Sequence, residues 1–204
     1  MRKYFFYALI AVFLFGVYFF FTKKSDVIEP ETKQEAIVLK KHSDTFNQSI
    51  NQLVDTYLSV KDAFVEDDTS MIKSKTIEFC KQLETLNLSE LAKDSAGIFE
   101  TVNMTKTDIL ANANSLLQQN DITEMRRDFS ALTDVMYPTF FNAIKYEGPA
   151  LYLQNCPMAF NDTEPANWIS NNKEIVNPYM GKHHPKYHSG MLNCGEIKDT
   201  IKSK

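Results

Sequence analysis

Among its 204 residues the chain has no H-E-x-x-H, no C-x-x-C, no C-x-x-C-H, no phosphate-binding loop and no G-x-G-x-x-G. Each of those spacings serves a definite chemistry: zinc proteolysis, dithiol exchange, haem attachment, or nucleotide and dinucleotide binding. The E-x-x-H pairs that build a di-iron centre between bundle helices are missing too. Positive charge is not in surplus, with 22 Lys and Arg against 26 Asp and Glu and a net charge of −4. No basic face results, so nucleic acid is not an expected partner. There is no internal repeat and no low-complexity tract. Cysteine and histidine are scarce, at three and four, and this scarcity makes their placement informative.

Two of the three cysteines, three of the four histidines and three of the eight methionines lie between Tyr152 and Gly195. Thiolate, thioether and imidazole are the groups that soft and borderline metals prefer to water. The candidate ligands are Cys156, Met158, His183, His184, His188, Met191 and Cys194, and the cations they suit are Cu(I) and Ag(I). Each has a plainer reading. Cys156 and Cys194 can form a structural disulfide, Met158, Met180 and Met191 can fill gaps against a core, and the histidines sit among Lys182, Pro185 and Lys186 in a loop that reads as solvated. Trp168 reads as a hydrophobic anchor before it reads as a cation–π partner, and Cys80 as inert core. Catalysis is not expected: Cys156 is followed directly by Pro157 and has no companion acid.

The N-terminus reads as a membrane anchor. After Arg2 and Lys3 comes an uncharged run from Tyr4 to Phe21, about one bilayer span, and then Lys23 and Lys24. Aromatic residues stand where a signal peptidase site needs small ones, and no lipobox cysteine follows. The expectation is residues 1–24 as an uncleaved transmembrane helix and 25–36 as a polar tether, with the body outside the inner membrane.

Residues 37–148 carry helical periodicity. Phe46, Ile50, Leu53, Val54, Tyr57, Leu58 and Phe64 form one stripe, and Ile72, Phe79, Cys80 and Leu83 a second. Leu91, Ile98, Ile109, Leu110, Ala113, Leu116 and Leu117 form a third, less regular one, with Gly97 as an irregularity. Asp121 and Glu124 announce a fourth helix carrying Ile122, Met125, Phe129, Leu132, Met136 and Phe140, which Pro138 must kink or end. The expected fold class is all-α: an antiparallel four-helix bundle, preceded by one transmembrane helix and closed by a loop-rich C-terminal cap over 149–204.

From Asn51 to Ile201 the chain resembles the bacterial envelope domain of unknown function 3347. The residues that carry the likeness are Y-L-S-V-K-D-A-F-V-E-D-D, M-R-R-D-F-S-A-L, L-Y-L-Q-N-C-P-M-A-F, N-W-I-S, K-E-I-V-N-P-Y-M-G and M-L-N-C-G-E-I. The resemblance implies an envelope location, a helical body and a role around heavy metals, because members also occur fused to periplasmic adaptors of copper and silver efflux. The insertion K-H-H-P-K-Y-H-S between Gly181 and Gly190 departs from the family pattern. Two functional expectations follow. One is an envelope module that buffers Cu(I) or Ag(I) or delivers it to an efflux adaptor. The other is a protein-interaction module that binds no metal, its cap locked by a Cys156–Cys194 disulfide.

Overall fold

The computed structural model describes residues 42–93 and 96–202. The expected anchor over 1–24 and tether over 25–36 lie outside the described residues, among which no helix is long and apolar enough to cross a membrane. Four long helices open the described chain: α1 Asp44–Val65, α2 Thr69–Thr85, α3 Ala96–Gln118 and α4 Ile122–Asp134. Short polar side chains start three of them. Ser43 accepts the Phe46 N–H, Asp68 the Met71 N–H, and Asp121 the Thr123 and Glu124 N–H groups, satisfying donors that the first helical turn leaves free. Each long helix packs on the one before it, as links of a few residues require.

Two irregularities differ from the sequence pattern. Leu91 belongs to a separate 3-10 turn, Ser89–Lys93, and not to the third helix. At Pro138 the chain widens into a π-helical turn, Val135–Phe140, with Tyr137 extended, before a last short turn α5 at Phe141–Ala143. The ring of Pro138 cannot donate to the helical ladder, and the chain yields there without stopping.

The expected all-α fold with a loop-rich cap is wrong. Leu151–Phe160 (β1), Glu164–Ser170 (β2) and Glu196–Ile201 (β3) form an antiparallel sheet in the order β2-β1-β3. Alternation, the usual sign of a strand, is absent from β1 because Gln154, Asn155 and Cys156 are buried in succession. The prolines mislead as well. Pro157 falls where the β1–β2 register shifts between Cys156 and Phe160, and Pro165 lies on an edge strand, two places where a sheet tolerates a missing N–H.

Bundle and sheet share one core. Tyr57 contacts Phe79 and Phe129 at centroid distances of 6.4 and 5.3 Å, and Phe129 reaches Tyr179 at 6.1 Å. Tyr179 then meets Phe160 at 5.6 Å and Trp168 at 6.1 Å, so one aromatic chain runs from α2 to β2. Such contacts add about 1 kcal/mol each to the area they bury. Trp168 has no exposure and serves as the hydrophobic anchor of the sheet.

Hydrogen bonds bind β2 to α1 and to the loop that carries Tyr179. Thr133 Oγ1 donates to the Phe129 carbonyl at 3.0 Å, which spends its only proton, so the Tyr57 hydroxyl donates to Thr133 at 2.7 Å. Tyr57 in turn accepts the Ile169 N–H at 3.1 Å, and the Tyr179 hydroxyl donates to the Asn167 carbonyl. An edge that would otherwise invite another strand is closed from within.

Candidate dithiol site

The sheet register creates the site. β1 pairs with β3 as far as Asn155 opposite Glu196, and the chain entering β3 therefore returns Cys194 to the side of Cys156. Gly195 makes this approach possible. With φ at +146°, a Cβ there would lie 2.7 Å from the Asn155 carbonyl and 3.0 Å from the Trp168 ring. In the cysteine–glycine step the second residue is thus the one that lets Cys194 come close.

The β1–β3 register makes Cys156 and Cys194 neighbours, and the proximity of Cys194 adds to the upward push that burial gives the Cys156 thiol. All three cysteines are free thiols, so the expected Cys156–Cys194 disulfide is not formed. The Asn177 side chain and the Met158 backbone N–H are the neighbouring donors that act on the Cys156 thiol. Burial pushes the Cys156 thiol above its ordinary value, and these donors oppose the shift. Cys156 has no exposure whereas Cys194 is half-buried, so solvent meets the pair from the Cys194 side.

The histidines do not join the thiols. Among the described residues no group of three or more His, Cys, Asp and Glu side chains stands close enough to hold a metal, so the histidines and cysteines expected from sequence to share an ion do not group. His183 is exposed, its backbone N–H donating to Asp67 Oδ2 at 2.6 Å. His184 Nδ1 accepts the N–H groups of Lys186 and Tyr187, both at 3.2 Å, and its ring stacks on Tyr187. Burial, with Arg126 next in effect, pushes its pKa down. His188 is exposed at the far side of the same turn, its N–H bonded to the His184 carbonyl. Met158 and Met191 are half-buried against the core and Met180 is fully buried. Cys80 lies buried in the core on α2, as its stripe predicted.

Two residues that matter here were not singled out from sequence. Asn177 is fully buried and donates through Nδ2 to the Cys194 carbonyl at 2.7 Å. The Asn-Pro step at 177–178, a turn signal, was the available hint. Arg126 is buried in an ion pair with Asp67, and its Nε donates to the Pro178 carbonyl at 3.0 Å. Three segments on which the resemblance was read meet at this node: V-E-D-D, M-R-R-D and N-P-Y-M-G. They clamp the 177–183 loop to the α1–α2 turn, and through it the Cys194 end of the site.

Residues 53–145 match the model of a family described as a protein of unknown function, DUF3347. This stretch belongs to that family. The match covers the helices and ends before β1, so the resemblance read from Asn51 to Ile201 is matched only in its helical part, and both Cys156 and Cys194 lie beyond it. No match was found among curated proteins or among solved structures.

Proposed function

We propose that this DUF3347 protein binds one Cu(I) or Ag(I) ion between Cys156 and Cys194, and acts in the cell envelope as a buffer or as a donor to an efflux adaptor. The placing of the two cysteines side by side by the β1–β3 register carries the reading. Two sulfur ligands satisfy a d10 monovalent cation, which accepts linear coordination, while Zn(II) asks for four ligands and finds no such set here. Because the Cys156 thiol is held protonated by burial, the ion has to displace protons as it binds, and affinity rises with pH. Half-buried Cys194 gives the ion its way in. Met158 and Met191 border the cysteine segments and are auxiliary at most.

The test is competition between the full-length reduced chain and a chromophoric Cu(I) chelator. Wild type should take one ion, and Cys156→Ser or Cys194→Ser should weaken binding by about a hundredfold or more, since a hydroxyl is a poor soft donor. Met158→Leu with Met191→Leu should cost less than about tenfold. A wild-type chain that takes no Cu(I), or one whose affinity survives loss of Cys156, removes the metal reading and leaves a protein-docking module.

A further inference from the structure

Gln154 and Trp168 stand directly opposite each other in the β1–β2 register, and neither side chain has any exposure to solvent. Opposed residues of an antiparallel pair send their side chains to the same face, with Cβ atoms about 5 Å apart. Gln154 turns its Nε2 to the loop that follows β2, donating to the Asn172 carbonyl at 2.9 Å and to the Glu174 carbonyl at 3.2 Å. Two carbonyl acceptors identify that atom as the nitrogen, so the other end of the amide is the oxygen. Among the described residues, neither Gln154 Oε1 nor Trp168 Nε1 has a hydrogen-bond partner, although both atoms are buried.

An orphan acceptor and an orphan donor therefore share one face of the sheet, opposed across a single register pair without bonding to each other. Buried polar groups are as a rule paired with protein or with ordered water. Whatever satisfies both of these must accept one hydrogen bond and donate another. A simple ion does only one of the two, and an apolar molecule does neither. The complete burial of both side chains restricts the size as well. We propose that Gln154 Oε1 and Trp168 Nε1 hold one interior water molecule between them, which accepts the indole N–H and donates to the amide oxygen. This water is what allows a glutamine to lie inside the sheet: its nitrogen fastens the 172–174 loop, and its oxygen is satisfied within the core. The site involves neither cysteine and stands apart from the metal reading.

Trp168 is the only tryptophan in the chain, so its indole N–H gives a single NMR signal. In the reduced, metal-free, full-length chain that proton should show a cross-peak to the water resonance, opposite in sign between laboratory-frame and rotating-frame Overhauser spectra. Opposite signs mark dipolar contact with a long-lived water, whereas equal signs mark chemical exchange. Gln154→Met keeps the length of the side chain and removes the acceptor. The cross-peak should then be lost, and 17O relaxation dispersion should count one long-lived water fewer than in wild type. Trp168→Phe removes the donor and should lower the same count by one. A wild-type indole proton with no dipolar cross-peak to water overturns the proposal, because the indole and the amide then pair directly or stay unpaired. So does a cross-peak that survives Gln154→Met, since other groups would be holding that water. Should Gln154→Met not fold, the count in Trp168→Phe decides, and an unchanged number of long-lived waters there overturns the proposal too.

Discussion

Asp67 sits at φ +58° in the turn between α1 and α2, and its carboxylate receives Arg126 on one oxygen and the His183 N–H on the other. The Arg126 guanidinium also donates to the Phe64 carbonyl at 3.4 Å, so a single buried cation holds two helices and the 177–183 loop. Gly181, at φ +58°, is forced by the same packing, since a Cβ there would collide with the Asp67 carboxylate. Removing one member of a buried pair leaves the other uncompensated, and Arg126→Leu should therefore cost about 3 kcal/mol in urea unfolding. Under conditions where the variant is folded, its Cu(I) affinity should stay within a fewfold of wild type, because Arg126 touches the loop and not the sulfurs; a selective loss of affinity would make Arg126 part of the binding site. At this scale the cap at Asp121 was legible, since it acts through its nearest neighbours in sequence. Arg126 and Asn177 were not, because each acts on a backbone segment far away in the chain and carries no local signature of that role.

Helices with one buried face print their period on the sequence, and α1, α2 and α4 could be read almost residue by residue. A central strand buried at three consecutive positions prints nothing comparable. The sheet had to be found through pairing, which is non-local, and the candidate site inherits that difficulty. Sequence put Cys156 and Cys194 at the two ends of one segment, and only the β1–β3 register brings them side by side, while it leaves the histidine turn with Asp67 and Asp162. The join between sheet and bundle passes through the hydroxyl of Tyr57, whose own pKa is raised by burial. Tyr57→Phe keeps the ring contacts and strips Ile169 N–H and Thr133 Oγ1 of a partner. It should cost about 1–3 kcal/mol, and the Ile169 amide should exchange with solvent markedly faster than the amides of α1. Unchanged exchange at Ile169 would mean that the edge of β2 is held by other contacts.

For the molecule as a whole, the titratable groups predict a plateau of stability with two different limbs. On the acid side, Glu90 accepts the Ser43 hydroxyl at 2.5 Å and the Ser43 backbone N–H at 2.8 Å, which clasps the start of α1 to the 3-10 turn. These bonds hold its carboxyl below the ordinary value of 4.5, and His42 Nδ1 at 3.5 Å adds to the effect. A depressed carboxyl contributes fully above its unfolded pKa and loses that contribution as pH falls through the folded one. On the alkaline side, burial raises the thiols of Cys156 and Cys80 above 9.0 and moves the Tyr146 phenol to about 12. A raised group contributes fully below its unfolded value, and the contribution disappears as pH climbs toward the folded one. The urea midpoint of the reduced chain should hence be level from about pH 5 to pH 8.5 and fall on both sides. Glu90→Gln should flatten the acid limb alone, and Cys156→Ala the alkaline limb alone, whatever each does to the height of the plateau. An acid limb as steep in Glu90→Gln as in wild type would show that the Ser43–Glu90 clasp is not where acid acts, and a bound Cu(I) should remove the Cys156 contribution to the alkaline limb, because a sulfur bonded to metal has no proton left to lose.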